Sequence, residues 1–144
     1  MAKQRNDRQE AIRRIIRSQS IRTQRALVDA LQEEGFSCTQ ATVSRDITEM
    51  GLRKLPEGIY VLSEDLHLQR MLSEFVVEVN RANNLVVVKC QPGTASGVAA
   101  AIDGGELANT LGSVAGNDTV LIICSADEGA ESLQDLIAKL ASSR

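Results

Sequence analysis

The sequence is poor in the side chains on which most catalytic and metal sites depend. It has one histidine, His67, and three cysteines, Cys38, Cys90 and Cys124, which lie far apart without a C-x-x-C pair. This spacing excludes the common zinc and dithiol redox motifs and is typical of small buried thiols in a reducing compartment. His67 falls in a predicted linker, where a solvated imidazole is expected rather than a general base. Glycine-rich phosphate loops and nucleophile–base pairs are absent too, so the sequence gives little support to an enzyme.

Long hydrophobic runs are absent as well. No stretch approaches the roughly 18 apolar residues of a membrane span, and the polar start MAKQRNDRQE does not fit a secretory signal. The 144 residues, of which 43% are hydrophobic, suffice for one ordinary domain or two small ones. These features predict a globular, cytoplasmic protein without a membrane partner.

Charge is unevenly divided along the chain. Residues 1–62 contain eleven Lys or Arg against eight Asp or Glu, whereas residues 63–144 contain five against eleven. A basic amino-terminal half on an acidic protein indicates an anionic partner for that half alone, although a solvated, charged helix face would explain the same pattern. The basic residues of the first 25 positions are Lys3, Arg5, Arg8, Arg13, Arg14, Arg17, Arg22 and Arg25.

Three short helices followed by a β-hairpin are predicted for the amino-terminal half. Thr23 and Thr39 are suitable N-caps, Gly35 and Gly51 are suitable helix stops, and the sequence then changes from helical to β-rich around a Pro-Glu-Gly turn. This order is typical of a winged helix-turn-helix. The predicted elements are helices over residues 8–17, 23–35 and 39–51 and extended segments over 52–55 and 59–62.

The third predicted helix, within TQATVSRDITEMG, has little apolar surface. Its predicted inward stripe is Val43, Ile47 and Met50, which leaves the short polar side chains and one arginine to solvent or to the major groove of DNA. An ordinary surface helix is the alternative, since Ser and Thr are tolerated there at a small cost. The predicted DNA contacts are Gln40, Thr42, Ser44 and Arg45 on this helix, with phosphate contacts from the amino-terminal arginines and from Arg53 and Lys54 beside the hairpin turn.

The carboxy-terminal half alternates in the manner of β-strands. Its predicted order is ββαββα, an α+β sandwich with the helices on one face of the sheet. We predict a helical linker over residues 65–74, with Leu66, Met71 and Leu72 as packing points, between domains of residues 1–64 and 75–144. The predicted strands cover 75–81, 85–91, 111–115 and 119–124, and the predicted helices cover 94–102 and 128–141.

Three segments, TQATVSRDI, PGTASGVAAAID and GSVAGNDTV, closely resemble the bacterial arginine repressor family, and the likeness covers nearly the whole chain. The resemblance implies an amino-terminal winged helix-turn-helix that binds double-stranded operator DNA. It also implies a carboxy-terminal, DCoH-like domain that binds L-arginine and forms trimers, with two trimers stacked into a hexamer around the arginine sites. The implied function is an arginine-responsive regulator of arginine biosynthesis and catabolism genes, with L-arginine as corepressor and no other cofactor.

The same resemblance implies a set of ligand residues. Asn117 stands where the family usually has the first Asp of Gly-Asp-Asp-Thr, so the site loses one negative charge. Carboxylates in fixed geometry suit a planar guanidinium. The ordinary alternatives are a helix end at Asp103 and hairpin-turn chemistry at Asn117 and Asp118. The implied ligand residues are Ser96, which replaces a polar amide common in the family, Asp103, Ala115, Asn117 and Asp118.

Another class of function stays open from the sequence alone. The acidic half could be an amino-acid-sensing module that acts on a protein partner without binding DNA. That reading explains residues 75–144 but leaves the basic half without a role. DNA binding at low salt separates the two classes.

Overall fold

Three helices and a two-stranded hairpin make up the amino-terminal unit of the chain, Met1–Ser63. The computed structural model describes residues 2–105 and 107–142. The first unit has the order that the sequence predicts, and the hairpin strands are antiparallel. Its elements are α1 (Ala2–Ser18), α2 (Gln24–Glu33), α3 (Gln40–Met50), β1 (Leu52–Lys54) and β2 (Tyr60–Leu62).

Capping residues set the ends of α2 and α3. Thr23 Oγ1 accepts a hydrogen bond from the Ala26 N–H at 3.0 Å, and Thr39 Oγ1 accepts one from the Thr42 N–H at 3.2 Å. Gly51 ends α3 with φ 69°, in the left-handed region where a side chain is strained. The two N-caps and the stop at Gly51 predicted from the sequence are therefore confirmed.

Helix α3 contributes less apolar surface to the core than its pattern suggests. Val43 is fully buried, whereas Ile47 and Met50 are only partly buried against the core of the first unit. Asp46 occupies the rest of the inward side and is 2% exposed. The predicted stripe is therefore correct in direction but omits a buried carboxylate.

The second unit, Glu64–Arg144, contains one antiparallel sheet of four strands in the order β3-β4-β6-β5. The predicted ββαββα order is confirmed, with one further helix before it. None of the helices in the described ranges is long and apolar enough to cross a membrane. The elements are α4 (Leu66–Phe75), β3 (Val76–Ala82), β4 (Leu85–Cys90), α5 (Ala95–Gly104), β5 (Thr110–Ala115), β6 (Thr119–Cys124) and α6 (Asp127–Ser142).

Helix α4 corrects the prediction of a linker over residues 65–74. Leu68 and Leu72 are 3% and 0% exposed, and α4 packs against α5 and α6 inside the second unit. Leu66 and Met71, predicted as packing points, are half-buried, and His67 is exposed. The segment is thus part of the second unit, because its apolar stripe completes that unit's helical layer.

The two faces of the sheet differ. Residues paired across antiparallel strands point to the same face, and the pairs Val86–Ile122 and Val88–Val120 are buried on the side where α5 and α6 pack. The predicted placement of the helices on one face is confirmed. The opposite side, here called the open sheet face, carries partly or fully exposed aliphatic side chains: Leu85, Val87, Val114, Leu121 and Ile123, with Val77 and Leu111 at irregular positions of the edge strands.

The edge strands carry the most exposed large apolar side chains on or beside the open sheet face. Val77 on β3 is 62% exposed, and Leu111 and Val114 on β5 are 71% and 64% exposed. Contiguous apolar surface of this kind marks an interaction site in a protein that otherwise buries its aliphatic residues.

All three cysteines are free. Cys90 and Cys124 are buried and Cys38 is half-buried, and burial raises the pKa of each thiol. A raised pKa keeps a thiol protonated and poorly nucleophilic at neutral pH. The expectation of small buried thiols is confirmed for Cys90 and Cys124 and holds only in part for Cys38.

Candidate DNA-binding surface and ligand site

Helix α3 presents a polar outer face. At about 100° per residue, Arg45 lies nearly opposite the buried Val43, and its side chain is exposed. Ser44 and Thr42 lie on the flanks and are half-buried, while Gln40 is exposed in the first turn. The four predicted contact residues of α3 are therefore available on its outer side or in its first turn, with Arg45 at the centre.

The short polar side chains of α3 are partly used within the helix. Thr42 Oγ1 lies 3.0 Å from Thr39 Oγ1, and Thr48 Oγ1 donates to the Ser44 carbonyl at 3.3 Å. Arg45 has no ion pair with any residue in the described ranges. These local bonds leave Arg45 as the long side chain of this face with its donors available to a ligand.

The two basic residues of the hairpin are not equivalent. Arg53 pairs with Val61 and Lys54 pairs with Tyr60 across the strands, so the two side chains point to opposite faces of the hairpin. Lys54 Nζ lies 5.3 Å from the centre of the Tyr60 ring, a cation–π contact. Both are exposed, but only Lys54 is held against the hairpin itself.

Several arginines of the amino-terminal segment make contacts within the first unit, so they are not equally available to phosphate groups. The clearest case is Arg8, whose side chain is 16% exposed. The other pairs are exposed and cost little to open. The side chain of Lys3 lies outside the described residues. The partners are Asp46 for Arg8, Glu34 for Arg14, the backbone carbonyl of Glu57 for Arg22 and Asp29 for Arg25.

Asp46, a buried residue on the inward side of α3, supports this surface and was not predicted from the sequence. Arg8 donates to its two carboxylate oxygens, Nε to Oδ2 at 2.5 Å and Nη2 to Oδ1 at 3.0 Å, and Gln9 Nε2 adds a bond to Oδ1 at 3.0 Å. Burial acts to raise the pKa of Asp46, but the hydrogen bonds from Arg8 and Gln9 outweigh it and lower the pKa below 3.8. An acidic residue three positions after Val43 was the available signal, because that spacing returns to the inward side of a helix.

In the second unit, the turn between β5 and β6 meets the start of α5. The backbone carbonyl of Asn117 accepts hydrogen bonds from the N–H groups of Gly93 at 3.0 Å and Ala95 at 3.4 Å. Ser96, the second residue of α5, is exposed beside this junction, and the Asn117 and Asp118 side chains are exposed in the turn. Three of the five predicted ligand residues are thus brought together at the start of α5.

Asp103 lies at the other end of α5. Ser113 Oγ on β5 lies 3.0 and 3.1 Å from its two carboxylate oxygens and donates to them. Seven residues of helix, about 10 Å, separate Asp103 from Ser96. Ala115 is half-buried on β5, two residues beyond Ser113. No three His, Cys, Asp or Glu side chains of the described part of the chain are placed to hold a metal ion.

Known proteins match both units of the chain. A family model described as arginine repressor, DNA binding domain, matches residues 3–68, and one described as arginine repressor, C-terminal domain, matches residues 72–139. A protein named arginine repressor from Desulfitobacterium hafniense is 43% identical over 144 residues, covering 92% of this chain and 96% of its own length. Its namesake from Thermus thermophilus is 41% identical over 145 residues, covering 93% of this chain and 88% of its own.

Proposed function

Because the chain belongs to the arginine repressor family, we propose that its first unit binds operator DNA and that its second unit binds L-arginine and assembles the oligomer. Membership of this family makes the chain a transcription regulator and not an enzyme. A regulator of bacterial DNA acts in the cytoplasm. The observation that carries the DNA-binding role is the polar outer face of α3, with an exposed arginine at its centre.

The proposed DNA-contacting residues have different roles in binding. Arg45 reads guanine through the two parallel hydrogen bonds that a guanidinium offers to N7 and O6. The short side chains Gln40, Thr42 and Ser44 permit close approach of α3 to the groove and to phosphates. Arg53 and Lys54 add phosphate contacts, which supply affinity and salt dependence but little choice of sequence.

On the ligand side, the positions of the carboxylates favour sites shared between copies of the chain. A free arginine presents a guanidinium and an α-ammonium group, each best matched by a carboxylate. In one chain Asp118 lies with Ser96 and Asn117 at one end of α5, while Asp103 lies about 10 Å along the helix, and both carboxylates are exposed. We propose that two trimers stack into a hexamer and that facing chains complete each arginine site.

L-Arginine controls DNA binding by linkage. The ligand favours the DNA-competent assembly only to the extent that it binds this assembly more tightly than the alternatives. The same coupling requires operator DNA to tighten the binding of L-arginine by an equal factor.

A mobility-shift titration on a palindromic promoter site of an arginine gene tests the proposal. We expect the complex to form at lower protein concentration with L-arginine than with D-arginine or L-lysine, and its affinity to fall steeply between 50 and 200 mM salt, as is usual for six or more phosphate contacts. Absence of DNA binding at low salt would contradict the role of the first unit. Equal binding with and without L-arginine would contradict arginine control.

Replacing Asn117 with aspartate is expected to tighten L-arginine binding by up to about tenfold. An amide oxygen already accepts hydrogen bonds from ammonium or guanidinium groups, but a carboxylate makes them charge-assisted and roughly twice as strong. The backbone carbonyl of Asn117, which holds the turn against α5, is unaffected by the change. Calorimetry of both proteins measures the difference, with Asn109→Asp as an exposed control that adds the same charge elsewhere. Equal affinities of wild type and Asn117→Asp would refute the placement of Asn117 in the site.

A further inference from the structure

The apolar contacts of α3 with the core are few. Val43 is the one fully buried aliphatic residue of α3, and Ile47 and Met50 are partly buried. Apolar burial is non-directional and depends on the area removed from water. It opposes separation of α3 from the core, but a small turn of the helix about its axis changes it little.

Directional contacts to α3 come from two successive residues of α1. The guanidinium of Arg8 approaches both carboxylate oxygens of Asp46 in a fork, a geometry that fixes orientation as well as distance. Gln9 Nε2 bridges Asp46 Oδ1 at 3.0 Å and Glu49 Oε2 at 2.9 Å, two side chains one turn apart on α3. Three donor contacts converge on a carboxylate that is 2% exposed.

We propose that Arg8 and Gln9 are positioning residues for sequence readout: through Asp46 they set the rotation of α3 and with it the direction of Arg45. Arg45 directly precedes Asp46, about 100° around the helix, so a change in rotation moves both. Two hydrogen bonds to one base edge require a side chain held within about 0.5 Å and 10–20°. The inference rests on the proposed DNA binding. It assigns to Arg8 and Gln9 a role in sequence readout that requires no contact of their own with DNA.

The first unit contains a matched control for this network. Arg14 lies on the same helix and pairs with Glu34, which follows α2, but the two side chains are 61% and 34% exposed. That pair has the same chemistry without burial and without contact to α3. Changing Arg14 therefore reproduces the loss of an α1 arginine while leaving the support of α3 intact.

The test uses the full-length protein with the substitution Arg8→Lys, which keeps the charge but cannot form the fork. The dissociation constants for the operator and for a random duplex of equal length are measured at two salt concentrations, with thermal unfolding of the same samples. We expect the preference for the operator to fall about tenfold, the size of one lost base contact, with random-duplex affinity and salt slope unchanged. Arg14→Lys should leave the preference unchanged.

A double-mutant cycle distinguishes positioning from a general structural role. In the Arg45→Ala background, Arg8→Lys should cause no further loss of preference, because the side chain that it positions is gone. An equal loss in both backgrounds, or a parallel fall of operator and random-duplex affinity, would overturn the proposal. If Arg8→Lys unfolds the first unit, the test uses Gln9→Ala, which leaves the contacts between Arg8 and Asp46 in place. Gln9→Ala should show a smaller fall in the preference for the operator. An unchanged preference in Gln9→Ala would overturn the proposal. A wild-type protein without operator preference would instead contradict the proposed function.

Discussion

Replacing Arg45 with alanine is expected to weaken operator binding ten- to hundredfold while leaving affinity for random duplex almost unchanged. The side chain is exposed at the centre of the outer face of α3, and its two-bond recognition of a base pair is worth about 1–3 kcal/mol of discrimination. The loss should be confined to one position of each half-site, because one side chain reads one base edge. Competition binding with operators substituted at single positions, at fixed salt and saturating L-arginine, measures both effects.

Arg53→Ala and Lys54→Ala provide the comparison for Arg45→Ala. A residue that contacts only phosphate should weaken operator and random duplex alike and reduce the salt slope by about one. Arg53 is the cleaner of the two, because Lys54 also lies over the Tyr60 ring and its loss alters the hairpin. If all three variants lost affinity for every duplex in the same proportion, α3 would bind phosphate only, and the assignment of sequence readout to Arg45 would be wrong.

Most of the fold could be predicted because its signals are local. Thr39 and Gly51 bracket α3 through bonds that span only a few residues, and the change to a period of two marks the strands of the second unit. The placement of the helices on one face follows from four strands with one buried and one open side. Boundaries differ by one or two residues in most of these elements, because helix and strand ends depend on neighbours that periodicity does not reveal.

The unpredicted features arise from contacts between distant parts of the sequence. Arg8 and Asp46 are 38 residues apart, and a basic residue in an arginine-rich helix gives no sign of which acid it faces. Helix α4 has the charged ends of a linker, and only its packing on α5 and α6 identifies it as part of the second unit. Ser113 likewise lies close to Asp103 because α5 packs against β5, and no spacing in the sequence indicates this contact.

The proposed ligand residues show the same limit. The resemblance to a known family supplied their identities, whereas their division between the two ends of α5 is a property of the folded unit. Ser96, Asn117 and Asp118 meet because the turn carbonyl of Asn117 binds the start of α5. Asp103 lies at the other end of α5, about 10 Å from Ser96. For this reason we propose that a second copy of the chain completes the site.

The double substitution Leu111→Glu and Val114→Glu is expected to convert the assembled protein to monomers at micromolar concentration. Both side chains are exposed in the single chain, at 71% and 64%, on or beside the open sheet face. Burying a Leu or Val side chain in an interface contributes about 1.5–3 kcal/mol, and burying an unpaired carboxylate opposes association by more. In a closed ring each substitution is repeated at every copy, so the effects multiply.

Sedimentation velocity with and without L-arginine measures the assembly. The control is the double substitution Ser132→Glu and Ala138→Glu at exposed positions of α6, which adds the same charge without altering the open sheet face. The control should assemble as wild type does. The Leu111 and Val114 variant should keep its secondary structure, because substitutions of exposed side chains change folding free energy by about 0.5 kcal/mol or less. It should also lose arginine-dependent binding to paired half-sites, since monomers lack the gain in effective concentration that links two DNA-binding units. Wild-type assembly of this variant would show that the oligomer forms through another surface and would leave the exposed aliphatic residues of β5 without a partner in the assembly.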